Sequence, residues 1–93
     1  MAQPTPRRNL AVLLGSRIRR LRDEVDLTQE RLAWDCDLAK SHLSEIEAGI
    51  KLPSVTALAK IADRLGVRLV DLFVLDPANA HEAAIEADRL ARR

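Results

Sequence analysis

Apolar residues recur along this chain in steps of three and four, in blocks divided by polar or helix-breaking residues. Leu10, Leu14, Ile18, Leu21 and Val25 form the first block and predict a helix from about Asn9 to Val25, with Arg17, Arg19, Arg20 and Arg22 on its other faces. Leu32, Ala33 and Cys36 form the second. Thr28 stands before it as a good N-cap, because its hydroxyl can accept from the amide of Arg31, and Gln29 and Glu30 suit a first turn. Leu43 and Ile46 predict a third helix from about Ala39 to Ala48, stopped by Gly49. Leu58, Ile61, Ala62 and Leu65 predict a fourth, capped by Ser54 and ended by Gly66. Arg68 to Leu75 read as a short fifth helix burying Leu69, Leu72 and Phe73, which Pro77 keeps from continuing. Beyond it, Asn79 and Glu82 have the spacing of a capping pair, and Ala83, Ala87, Leu90 and Ala91 align on one side of a sixth.

The expected fold is therefore all-α, with five helices closing one domain over residues 9–75. A flexible arm over residues 1–8 precedes it, holding Pro4 and Pro6 and ending in Arg7 and Arg8. A short helical extension follows over residues 76–93. The second and third helices are joined by a corner at Asp37 and Leu38 that is too short for an antiparallel return. That is the shape of a helix-turn-helix, the unit that sets a helix in a DNA groove.

Two stretches carry a family likeness. One is IRRLRDEVDLTQERLA, an Arg-rich first helix followed by Thr-Gln-Glu at the start of the second; the other is HLSEIEAGIKLPSVTALAKIADRLGVRLVDLF, with Leu-Ser, Ile-Glu, Gly, Pro-Ser and Gly-Val-x-Leu in order. Over about Leu14 to Phe73 the chain resembles the helix-turn-helix family of the phage repressors and Cro, the XRE family of transcriptional regulators. At Asp26 and Asp37 the family usually has glycine, since a chain leaving a helix there adopts positive φ, a region that Asp tolerates better than most residues.

The resemblance assigns roles residue by residue. The leading turn of the third helix would enter the major groove of double-stranded DNA, with Lys40, Ser41, Ser44 and Glu45 at the base-reading positions. Lys40 can donate to guanine, the serines can donate or accept, and Glu45 can accept from cytosine while repelling phosphate. Gln29, Thr28 and Lys51 would hold the phosphates, and Arg19 joins them from the first helix, where a solvated charge-rich face is the alternative. Arg22 and Glu47 match a structural ion pair. A domain of this size covers a short site, so a homodimer on two half-sites is expected, with Val70, Val74, Leu75, Ile85 and Leu90 as candidates for its surface or for the monomer core.

Composition narrows the alternatives. Ninety-three residues suffice for one small domain, and with Trp34 and Phe73 as its only aromatics the core must be aliphatic. The chain has no apolar run long enough for a membrane span and no secretion signal at its start, so a cytoplasmic protein is expected. A single cysteine, Cys36, and two isolated histidines, His42 and His81, exclude an internal disulfide and offer no metal-ligand spacing. No catalytic set and no cofactor motif stands out, so an enzyme is not expected.

Charge is the discordant feature. The net value is +1, yet residues 1–25 carry +4 and residues 26–50 carry −4. A DNA binder needs cations near phosphate, because released counterions supply its sequence-independent affinity. In this chain those cations must come from the first helix and the Lys51 loop. Trp34 points away from Leu32 and Cys36 by helical angle, which marks a protein contact or packing under a terminal segment. The acidic middle and Trp34 favour a second reading, in which the fold serves as a protein-interaction module or an antitoxin with weak DNA binding.

Overall fold

In the computed structural model, which describes residues 6–75, four α-helices and one 3₁₀ helix wrap an aliphatic core. The helices are α1 (Pro6–Glu24), α2 (Gln29–Asp35), α3 (Lys40–Glu47) and α4 (Val55–Leu65), and the 3₁₀ helix spans Leu69–Phe73. No strand is present among the described residues, and no helix among them is long and apolar enough to cross a membrane. The expected C-terminal helix, with Ile85 and Leu90, lies outside the described residues.

Helix α1 begins at Pro6, three residues before the expected start, so the end of the segment read as an arm belongs to the helix. Proline is well suited there, since its φ is already helical and the first helical amide has no partner to lose. Thr28 caps α2 by accepting from the Arg31 amide at 3.0 Å, and Ser54 caps α4 by accepting from the Ala57 amide at 3.1 Å.

All four α-helices end in the same way, with a residue in the left-handed region followed by an apolar one. The left-handed residues are Asp26, Asp37, Gly49 and Gly66, with φ of 56°, 56°, 76° and 73°. At each end the residue after it reaches back to a carbonyl five positions earlier: Leu27 to Arg22, Leu38 to Ala33, Ile50 to Glu45 and Val67 to Ala62. These bonds satisfy carbonyls that a helix end otherwise leaves unpaired. Leu27, Leu38 and Val67 also pack against the core, so each stop signal anchors the next element.

The core consists of Leu14, Ile18, Leu32, Leu43, Ile46, Ile61 and Leu72, all essentially inaccessible, with Cys36 and Ala62 filling between them. Each such side chain contributes about 1.5–3 kcal/mol through burial. Burial also pushes the Cys36 thiol up and so disfavours the reactive thiolate. Two expectations about the α1 stripe fail at its ends. Leu10 and Val25 are exposed, and Ala11 and Val12 are buried instead.

The expected short fifth helix over Arg68 to Leu75 is the 3₁₀ helix, and it buries Leu72 while Leu69 and Phe73 stay partly exposed. The helix is only five residues long, and short pieces are where 3₁₀ bonding occurs. The Asp71 carboxylate accepts from the Arg68 amide at 2.8 Å and so closes the first turn, and Arg17 Nε donates to the Asp71 carbonyl at 3.1 Å. Arg17, one of the arginines off the apolar stripe of the first helix, thus ties α1 to the 3₁₀ helix.

Asp35 on α2 accepts from Arg31 and from Arg64 of α4, and hydrogen bonding to Arg64 holds its carboxyl below the usual carboxylate range. Hydrogen bonding to Arg68 does the same for Asp71. A carboxylate with a lowered folded pKa stabilises the fold above its unfolded value, about 3.9, and that contribution disappears as pH falls through the folded value. Urea unfolding of Asp35→Asn and the parent chain should therefore show a stability gap at about pH 6 that narrows by about pH 3. A gap that is constant over this range counts against an ionic role for Asp35.

Candidate nucleic-acid interface

Helix α3 has two opposed faces. Leu43, Ile46 and Glu47 are buried against the body, whereas Lys40, Ser41 and Ser44 are exposed and Glu45 is half-buried. Residues 40 and 44, and likewise 41 and 45, are one helical turn apart, so the four residues assigned to base reading share the outward side. His42 is half-buried beside them. Asp37 makes this display possible: its positive φ turns the chain sharply enough that α3 leaves α2 at an angle while Leu38 tucks into the core.

The outer end of α3 is held by a charged cluster under its C-terminus. Arg22 Nε donates to Glu47 Oε2 at 2.8 Å and Nη2 to Glu47 Oε1 at 3.0 Å, a two-pronged pairing, while Nη1 donates to the Leu27 carbonyl at 2.6 Å. The Glu47 side chain is 3% exposed and that of Arg22 12%. Gln29 Nε2 completes the cluster by donating to Glu47 Oε1 at 3.1 Å. Hydrogen bonding to Glu47 holds the Arg22 guanidinium above its ordinary value in spite of burial. One carboxylate thus ties together α1, α2 and α3.

Beneath this cluster the backbones of α1 and α3 touch. A Cβ placed on Gly15 would lie 2.2 Å from the carbonyl oxygen of Ile46 and 2.8 Å from that of Glu47. One on Gly49 would lie 2.7 Å from the Cα of Val12. Sequence reasoning gave Gly15 no role; its signal was a glycine inside a helix, where the residue costs stability and so marks close approach.

The residues expected at phosphates are more engaged than the sequence suggests. Gln29 uses one amide N–H on Glu47, which leaves its second for an outside acceptor. The Thr28 hydroxyl oxygen accepts from the Arg31 amide, which leaves its proton available to donate. Lys51 is exposed and pairs with Glu45 at 3.4 Å. Lys40 pairs with Glu30 at 3.0 Å, a contact across the turn that joins the leading ends of α2 and α3. Arg19 is exposed on α1, and Arg20 beside it pairs with Glu24 at 3.5 Å. Trp34 is 80% exposed on α2, on the far side from Leu32 and Ala33.

A bihelical unit with an exposed polar leading turn, fixed to an all-helical body, is the architecture of DNA-binding transcriptional regulators. The chain belongs to the phage-repressor and Cro type of helix-turn-helix family: the family profile described as a helix-turn-helix domain matches residues 13–73. It is 37% identical over 66 residues, 70% of this chain and 82% of the relative, to the control protein C.BamHI of Bacillus amyloliquefaciens. Among solved structures, the restriction-modification controller protein C.AhdI from Aeromonas hydrophila superposes with a TM-score of 0.66 at 33% identity, covering 68% of this chain and 96% of that one. The clp gene regulator ClgR from Corynebacterium glutamicum superposes with a TM-score of 0.69 at 28% identity, covering 97% and 92%.

Proposed function

We propose that this regulator occupies a palindromic operator as a homodimer and acts by position, without chemistry. The observation that carries the reading is the polarity of α3, whose apolar side and Glu47 are sunk in the body while Lys40, Ser41 and Ser44 face outward. In this reading Lys40, Ser41, Ser44 and Glu45 meet base edges, and Thr28, Gln29, Arg19 and Lys51 contact the flanking phosphates. Leu69, Val70, Phe73 and Val74 expose apolar surface at the end of the described chain, and they supply the two-fold contact with half-buried Leu75. The controller proteins to which the chain is similar favour a small autonomous regulator of that kind.

Selection of bound sequences from a random DNA pool tests this directly: an inverted repeat is expected, its half-sites about one helical turn apart. Lys40→Ala should relax base preference at one position per half-site, and Lys51→Ala should weaken all sequences alike. Equal losses on all sequences for both variants would reject that division of labour. Exposed Trp34 and the acidic middle of the chain favour the second reading, a protein-interaction module or antitoxin on the same fold. Electrophoretic titration separates the two, since a regulator's shifts weaken steeply with salt whereas an adaptor gives none even at low salt.

A further inference from the structure

The three lysines of the chain are Lys40, Lys51 and Lys60, and the two beside the exposed face of α3 each hold a glutamate: Lys40 with Glu30 at 3.0 Å, Lys51 with Glu45 at 3.4 Å. The Lys40 contact is the more telling. It spans ten residues, and it joins the first turn of α2 to the first turn of α3. Its side chains are 59% and 73% exposed. So open an ion pair adds little to folding. Its consequence falls on whatever Lys40 does outside the molecule.

We propose that Glu30 is a specificity-determining residue, one that holds Lys40 as an aimed and charge-compensated donor so that the lysine reads a base edge rather than capturing the nearest phosphate. The inference rests on the DNA reading of α3 given above. A lysine is a point charge on a four-carbon stem with three rotatable donors, and near a duplex an unrestrained one is drawn to phosphate. Glu30 takes one donor, restricts the stem and leaves two N–H groups, enough for the O6 and N7 acceptors of guanine. Its negative charge also repels phosphate at the rim of the groove. Discrimination rises while sequence-independent affinity falls, which gives a function to acidic residues in a reading unit.

The test uses the full chain and four variants, the fourth combining Lys40→Ala with Glu30→Gln, each measured by DNA titration over a range of salt and by selection from a random pool. Glu30→Gln should bind non-specific duplex more tightly, with a log-log salt slope steeper by about 0.9, the value of one added phosphate contact. Its preference at the base facing Lys40 should fall by roughly tenfold. Glu30→Asp keeps the charge but is too short to hold Lys40, so preference should fall and the salt slope should steepen, by less than in Glu30→Gln because the retained charge still repels phosphate. In Lys40→Ala the Glu30→Gln change should no longer alter base preference, an outcome that a merely structural role for Glu30 does not give. Parent-like preference in both Glu30 variants, or a uniform loss that follows thermal stability, overturns the proposal and leaves the regulator reading intact. Failure of the parent chain to shift any duplex at low salt overturns both.

Discussion

Arg22→Ala should destabilise the domain by about 3–5 kcal/mol, the largest effect expected of any single charged residue here. The argument rests on what the change leaves behind. Glu47, 3% exposed in the parent, would keep Gln29 as a side-chain donor but lose its counter-charge, and an inward carboxylate so stranded loses far more than a surface pair is worth. The Leu27 carbonyl loses its donor as well, at the point where α1 hands over to α2. Small domains have only about 5–15 kcal/mol of stability in total, so the variant should melt well below the parent, by roughly 4–8 °C for each kcal/mol lost. Two companions locate the cause. Glu47→Gln removes the charge but keeps most of the hydrogen bonding and should cost less than Arg22→Ala. Replacing both partners by leucine or methionine should recover much of the loss, because a buried ion pair is costly to break but is often matched by well-packed apolar groups. Denaturant unfolding that shows a loss below about 1 kcal/mol would place the pair with ordinary surface bridges and remove it from the architecture.

The same cluster connects stability to recognition. Glu47 sits in the last turn of α3, so its bonds to Arg22 and Gln29 fix the angle at which the four outward residues are presented. A variant that still folds but holds this cluster loosely should lose discrimination among sequences before it loses sequence-independent affinity, since base contacts depend on geometry more strictly than phosphate contacts do.

What could be read from the sequence follows the range of each interaction. Thr28 and Ser54 were legible as caps because the bond each makes lies three residues away, within the pattern that capping rules describe. The left-handed turns at Asp26 and Asp37 came from the resemblance, and their conformations agree with it. Periodicity marks an apolar side of α1 but not which edge of it is covered: Ala11 and Val12 are buried while neighbouring Leu10 is exposed, and Val25 lies past the last residue of the helix. The short helix after Gly66 was legible as a helix, but an apolar stretch before a proline does not distinguish α from 3₁₀ bonding. Two contacts had no sequence signal at all. Glu30 meets Lys40 across a turn whose angle is set by Asp37, and Arg17 bonds a backbone carbonyl 54 positions away. Neither spacing recurs as a rule, so only the assembled fold shows them.

The three glycines separate two causes of constraint that sequence alone confounds, and their alanine variants should fall in a definite order. Gly66 has φ of 73° with nothing within 4 Å of an added Cβ, so Gly66→Ala should cost only the left-handed strain, about 1–2 kcal/mol. Gly15 lies within α1, where alanine ordinarily stabilises a helix by about 0.5–1 kcal/mol. Here the sign should reverse. The added Cβ would meet the carbonyl oxygens of Ile46 and Glu47 at 2.2 and 2.8 Å, and because those atoms are backbone no neighbouring side chain can turn aside to make room. Helices α1 and α3 must separate, and overpacking of that kind gives an expected net loss of about 2–3 kcal/mol. Gly49 combines both constraints, with φ of 76° and the Cα of Val12 at 2.7 Å, so Gly49→Ala should be the most damaging of the three. Urea midpoints measured side by side give the order Gly66, then Gly15, then Gly49 in increasing loss. A Gly15→Ala chain as stable as the parent would mean that α1 and α3 do not approach so closely in solution, and the placement of the DNA-facing helix against the body would have to be redrawn.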